Sequence, residues 1–178
     1  AMAYLEAGDV TLIPNPGYPT YQAACSLAGA TVQAYELTEV NGWLPDLDKW
    51  ASVIASALKP NGKFVFFEFH PVVWMFDDDF DKIGYTYFNS GAIVESYEGT
   101  YADKDADLQA EYVMWNHGIS EVVNNLIKNG LQINSLDEFD YSPYNCFQKT
   151  VEIAPRKYRI AHLENKIPMV YAITATKK

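Results

Sequence analysis

DVTLIPNPGYPTYQAACSLAGATVQAYEL, residues 9–37, sets an apolar run, a helical stretch and a second apolar run in succession. Residues 9–14 read as a short buried strand stopped by the turn Asn15-Pro16-Gly17. A helix follows, with Pro19 near its first turn and Ala23, Ala24, Leu27 and Ala28 as an apolar stripe. Gly29 stands where a left-handed residue closes a helix, and residues 31–37 form the second strand. Asn41-Gly42 is a turn, and Pro45-Asp46 leads into a second helix. That helix carries Leu47, Trp50, Val53, Ile54, Ala57 and Leu58 on one face and stops at Lys59-Pro60-Asn61-Gly62. Residues 63–69 (KFVFFEF) are nearly all apolar, the pattern of a strand covered on both faces. Strands separated by helices of this length predict right-handed crossovers and a parallel sheet.

Beyond Pro71 the pattern changes. Residues 72–114 hold an acidic patch, then Tyr85 to Phe88 and Ile93 to Tyr97 around Asn89-Ser90-Gly91, which predicts a β-hairpin outside the main sheet. Ile119, Val122, Val123, Leu126 and Ile127 predict a third helix over about 117–129, stopped by Gly130. Residues 131–140 predict a strand, 141–166 a loop-rich stretch, and 167–176 an alternating final strand that can run antiparallel to its neighbour.

Size and charge bound the function. The chain has 178 residues, 49% of them hydrophobic, which suits a single α/β domain over 1–178. Thirteen basic against 23 acidic residues give a net charge of −10. This balance offers no footprint for nucleic-acid phosphates and disfavours anionic membrane surfaces. The apolar runs are too short to span a bilayer, and no basic-then-apolar leader opens the sequence. Cys25 and Cys146 make neither a disulfide framework nor a metal cluster. The expectation is a soluble, cytoplasmic protein with no nucleic-acid and no membrane partner.

Two resemblances share the chain. GDVTLIPNPGYPTYQAACSLAGATVQAYEL with TEVNGWLPDLDKW closely resembles fold-type-I pyridoxal-phosphate aminotransferases of the aspartate or LL-diaminopimelate kind, over about residues 4–50. The resemblance implies that Tyr18 occupies the position of an aromatic that stacks on the pyridine ring. The family's phosphate-binding glycine segment, Schiff-base lysine, pyridinium aspartate and carboxylate-binding arginine have no counterpart. LKPNGKFVFFEFHPVVWMFDDDF, YFNSG, WNHGISEVVNNLIKNGL, DYSPYNCF and KYRIAHLENKIPMVYAITATK resemble the C-terminal half of a class I S-adenosylmethionine-dependent methyltransferase, from about Ala55 onward. The half that holds that family's methyl donor has no counterpart, and no GxGxG occurs in the sequence. Together these imply an engineered chimera joined near residues 50–55, with no cofactor; a natural fusion or mis-assembled reading frame is the alternative.

The resemblances imply a three-layer, Rossmann-like sandwich around a five-stranded, mostly parallel sheet of order 2-1-3-5-4, strand 5 antiparallel, with an outlying β-hairpin. Its switch point would lie between the carboxyl ends of strands 1 and 3. Asn15, Gly17 and Tyr18 would line one side as a residual cofactor or anion site at a helix start. Glu68 and His70 would line the other, with Trp74 nearby, as a residual substrate pocket.

Other motifs read as structural. Asp77-Asp78-Asp79 with Asp81 read as a solvated acidic loop rather than a cation site. Asp103, Asp105 and Asp107 have calcium-loop spacing, but Leu108 and Met114 stand where glycine and glutamate are needed. His117 and His162 lack ligand-spaced companions and read as hydrogen-bonded structural residues. Cys25 reads as a small core residue, and Cys146 has no activating base in sequence. Trp74, Tyr85, Tyr87, Phe88 and Trp115 either cover the sheet or leave a patch that would drive homodimer formation.

Overall fold

The computed structural model describes residues 5–15, 19–36, 46–98 and 107–178. The chain divides into two compact units, Ala1–Ala57 and Leu58–Lys178. In the first, β1 (Val10–Asn15), α1 (Pro19–Leu27) and β2 (Thr31–Glu36) form a β-α-β unit, followed by α2 (Leu47–Ala57). β1 and β2 are parallel, in register from Val10↔Thr31 to Asn15↔Glu36. α1 ends because Gly29 adopts φ +77, letting Ala30 N–H reach Cys25 O and Gly29 N–H reach Ser26 O, so the last carbonyls are satisfied. The Asp46 carboxylate caps α2 by accepting from Lys49 N–H at 3.0 Å. Cys25 on α1 and Ala51 on α2 are buried, whereas Leu27, expected on the apolar stripe, is 78% exposed.

The second unit contains β3 (Lys63–Phe69), β4 (Ile93–Glu98), β5 (Gln109–Met114), α3 (Ile119–Lys128), β6 (Leu131–Phe139), β7 (Thr150–Ala154), β8 (Lys157–Ile160) and β9 (Val170–Lys177). β9 lies between β3 and β6 and runs antiparallel to both. Tyr171, Ile173 and Ala175 on β9 are buried along one face, as alternation requires. α3 adds Val122 and Leu126, four residues apart and both buried. It starts at Gly118, which has no capping side chain; the Tyr87 hydroxyl instead accepts from Ile119 N–H at 3.2 Å. A second core gathers beyond β3, where Val73, Phe80, Ile160 and Met169 are buried among Phe69, Trp74, Phe76 and Phe147.

The five-stranded, mostly parallel Rossmann-like sheet does not form. Among the described residues the strands make four separate ladders: parallel β1-β2, antiparallel β3-β9-β6, and the pairs β4-β5 and β7-β8. The only parallel ladder among them has two strands, and the larger sheet is antiparallel throughout. Apolar content reports what a strand is able to bury, not which neighbour arrives. β3 makes the point: Val65 and Phe67 are 58% and 51% exposed, where coverage of both faces was expected. The outlying hairpin also differs, since β4 pairs with β5 rather than with Tyr85 to Phe88. The backbone of residues 85–88 is engaged elsewhere: Tyr85 N–H donates to Met75 O, Thr86 O accepts from the Asn116 amide, and Phe88 O accepts from the Thr86 hydroxyl. The stretch 141–166, expected to be loop, contains the β7-β8 hairpin, whose turn places Arg156 at φ +61.

Two substitutions test this description. Ile173→Ala, at a fully buried site on the central strand, is expected to cost about 2–5 kcal/mol in urea unfolding followed by circular dichroism. Gly62→Ala places a Cβ 2.7 Å from Lys59 O in the turn that starts β3, and is expected to cost roughly 1–3 kcal/mol in the same assay.

Candidate functional site

At the carboxyl end of β3, Glu68 pairs across the ladder with Tyr171, and Tyr171 pairs with Glu138 on β6. The three therefore form one row on one sheet face. His70 follows β3 and is buried, its ring edge-on to Tyr171 at 6.0 Å between centroids. Val72 N–H donates to His70 Nδ1 at 3.1 Å, and a backbone amide only donates, so Nδ1 carries the lone pair. The proton then sits on Nε2, which donates to Glu138 Oε1 at 2.8 Å. Both ring nitrogens are thereby engaged. Burial lowers the His70 pKa below its ordinary value, against the Glu138 hydrogen bond and charge, which raise it. Desolvation raises the Glu68 carboxyl, while Phe69 N–H, donating at 2.7 Å, pulls it down. Glu68 and His70 share a strand end but not a bond: His70 is held by Glu138.

Trp74 lies in a short 3-10 turn, Val73–Met75, with its ring edge-on to Phe69 at 5.7 Å and to Phe147 at 5.8 Å. It lines a cavity of about 130 Å³, together with Phe76, Phe80, Tyr85 and Phe147. The loop that follows explains the shape. Asp77 Oδ1 accepts from Asp81 N–H and Lys82 N–H, and Asp77 N–H donates to Lys82 O, closing a tight turn. Within it Phe80 adopts φ +58, a strained conformation for a bulky residue, and its ring enters the core at 5.4 Å from Phe147. Asp79 and Asp81 point out to Lys149, at 3.4 and 2.9 Å. Asp78 and Glu95 line the cavity, and the Tyr85 hydroxyl donates to Glu95. Cys146 also lines it, and burial pushes its thiol up, so it is protonated and a poor nucleophile at neutral pH.

The expected site residues divide between the two units. Asn15 ends β1 in the first unit, and Gly17 and Tyr18 lie outside the described residues. The crevice expected between strands 1 and 3 presupposed the single sheet that does not form. Of Glu68, His70 and Trp74, Trp74 alone lines the cavity. Asp103 and Asp105 lie outside the described residues, and no group of three metal-ligating side chains occurs among the described ones. His117 pairs with Glu121 at 3.1 Å and His162 Nε2 with Phe80 O at 3.0 Å, as hydrogen-bonded structural residues. In the aromatic set, Phe88 is 72% exposed and the other four are half-buried. No described helix is long and apolar enough to cross a membrane. Sequence reasoning missed Glu95, Met114 and Phe147 as cavity walls. Trp74, Phe76 and Phe80, on either side of Asp77-Asp78-Asp79, mark one wall, but the opposite walls come from distant segments and leave no local signal.

Comparison with known proteins bears out the double resemblance. Residues 1–69 match the family described as Aminotransferase class I and II. The chain is 43% identical over 58 residues to LL-diaminopimelate aminotransferase 2 of Nostoc sp., of which it covers 15%. It is 28% identical over 146 residues to LL-diaminopimelate aminotransferase of Moorella thermoacetica, covering 82% of this chain and 34% of that enzyme. The chain thus spans about a third or less of these two relatives. In structure it is similar to a Listeria monocytogenes protein assigned as an S-adenosylmethionine dependent methyltransferase. The TM-score is 0.50 at 18% identity, over 97% of this chain and 91% of that one. The chain therefore combines an aminotransferase-like sequence with a methyltransferase-like fold.

The His70 geometry has a measurable consequence. NMR titration of the ring is expected to give a midpoint below 6.5, and Glu138→Gln, which removes the partner that raises it, a lower one still. Because the unfolded chain then takes the proton more readily, this residue's contribution to stability declines as pH falls below about 6.5.

Proposed function

We propose that this chain is an engineered chimera that keeps scaffold from two transferase families and a working site from neither, a test of whether their fragments are interchangeable. The observation that supports it most is the coincidence of an aminotransferase match over residues 1–69 with a methyltransferase-like fold over 97% of the chain. The donor set supports it as well. Pyridoxal-phosphate chemistry needs a lysine amine to form a Schiff base and groups to hold the phosphate. Residues 1–57 contain one lysine, Lys49, and no arginine, and Lys49 is exposed in the first turn of α2. The methyl donor needs a turn whose backbone closes around it; the segment from Asn15 to Pro19 holds one glycine. These residues fit neither group.

The S-adenosylmethionine arm is calorimetric titration of the full chain, with no saturable heat expected. The second arm is incubation with pyridoxal phosphate, borohydride reduction and mass measurement, with no stoichiometric adduct at a single lysine expected. Turnover of a methylated or aminated product with saturation kinetics would overturn the reading.

A further inference from the structure

The cavity beside Trp74 has a chemistry of its own. At about 130 Å³ it approaches the roughly 150 Å³ of an engineered apolar cavity that takes up benzene, so it has room for a small organic group rather than a lone water. Its walls are aromatic: Trp74 and Phe147 meet edge to face at 5.8 Å, and Phe76 and Phe80 stack at 5.5 Å. The faces of such rings are negative and attract a cation that has shed part of its water. The charge beside them has the same sign. Asp77, Asp78 and Glu95 line the cavity, the Asp77 carboxylate already accepting from the backbone amides of Asp81 and Lys82, and none of the lining residues is basic. Lys149, which reaches this loop, is taken by Asp79 and Asp81. Glu95 accepts from the Tyr85 hydroxyl, which is uncharged, so its negative charge is not neutralised there.

We propose that this cavity binds a small organic ammonium ion, its alkyl groups against Trp74, Phe76 and Phe147 and its charge facing Asp78 and Glu95. The inference goes beyond the chimera reading, which assigns no ligand, and stands or falls independently of it. An apolar guest of the same size would leave the carboxylates facing one another without relief. A bare divalent ion would meet too few carboxylates to replace its water, since no described cluster supplies three metal-ligating groups. An alkylammonium satisfies both walls at once. Desolvation, then the negative charges of Glu95, Asp77 and Asp79, raises the Asp78 carboxyl, the condition a bound cation would relieve.

The test uses the full chain and tetramethylammonium chloride, with sodium chloride at matched ionic strength as the blank. Saturable shifts of the Trp74 indole N–H and the Met114 methyl resonance are expected, with a dissociation constant of roughly 0.1–10 mM. The neutral isostere tert-butanol is expected to bind at least about tenfold more weakly. The double variant Asp78→Asn/Glu95→Gln keeps shape and the acceptor for Tyr85 while removing two charges. It is expected to weaken tetramethylammonium about tenfold or more and to leave tert-butanol unchanged. Should the double variant not fold, Asp78→Asn alone, at an exposed loop position, carries the test with a smaller expected loss. Equal affinity for the neutral isostere, an unchanged affinity in the variants, displacement by calcium chloride, or no shift at the Trp74 resonance overturns the proposal.

Discussion

The larger unit is organised by where its last strand goes. β3 and β6 meet only through β9, so residues 63–69 and 131–139 become one sheet when residues 170–177 arrive between them. Both ladders of that sheet join segments distant in sequence through this strand, and the entropy of closing those loops is lost before the contacts form. Tyr171, Ile173 and Ala175 repay it by burying one face completely. The end of the same strand places Tyr171 between Glu68 and Glu138, and His70 against both Tyr171 and Glu138. Sheet assembly and the polar cluster at its carboxyl end are thus one event.

A second constraint shapes the cavity. The loop after β3 turns so tightly that Phe80 must take a left-handed backbone, at a cost of order 1–3 kcal/mol. Burial of the Phe80 ring against Phe76 and Phe147 offsets it. The same turn leaves Asp78 lining the cavity while Asp79 and Asp81 reach Lys149. Aromatic packing and unneutralised charge therefore sit side by side because one backbone turn keeps Phe76, Asp78 and Phe80 at the cavity and sends Asp79 and Asp81 to Lys149.

The aminotransferase-like and methyltransferase-like features live on different levels. The first is a match of residue identity, strongest over a short N-terminal stretch; the second is a likeness of chain path over nearly the whole length. The two levels can part because packing tolerates exchange of apolar side chains, whereas a cofactor site needs specific groups at fixed distances.

Local chemistry in the sequence determined the elements. Pro19 and Gly29 bracket α1, Asp46 caps α2, and Gly130 ends α3; these depend on neighbours within a turn, so they are legible without a fold. The apolar run 63–69 and the mixed stretch 131–139, which follows the Gly130 stop, are legible as strands for the same reason. Pairing was not. Tyr85 to Phe88 looks as fit for a hairpin as Gln109–Met114 does, and the choice fell to a hydrogen bond donated to Met75 O and one accepted from the Asn116 amide, which no local pattern announces. The site divides the same way. His70 was visible as a titratable residue at a strand end, but that it belongs to Glu138 rather than Glu68 was decided by the register of β9. Trp74 was visible as an aromatic, but the cavity it lines needed Glu95 and Phe147 from remote segments. Short-range sterics and capping are written residue by residue; partners across the chain are settled only when burial and loop closure are weighed together.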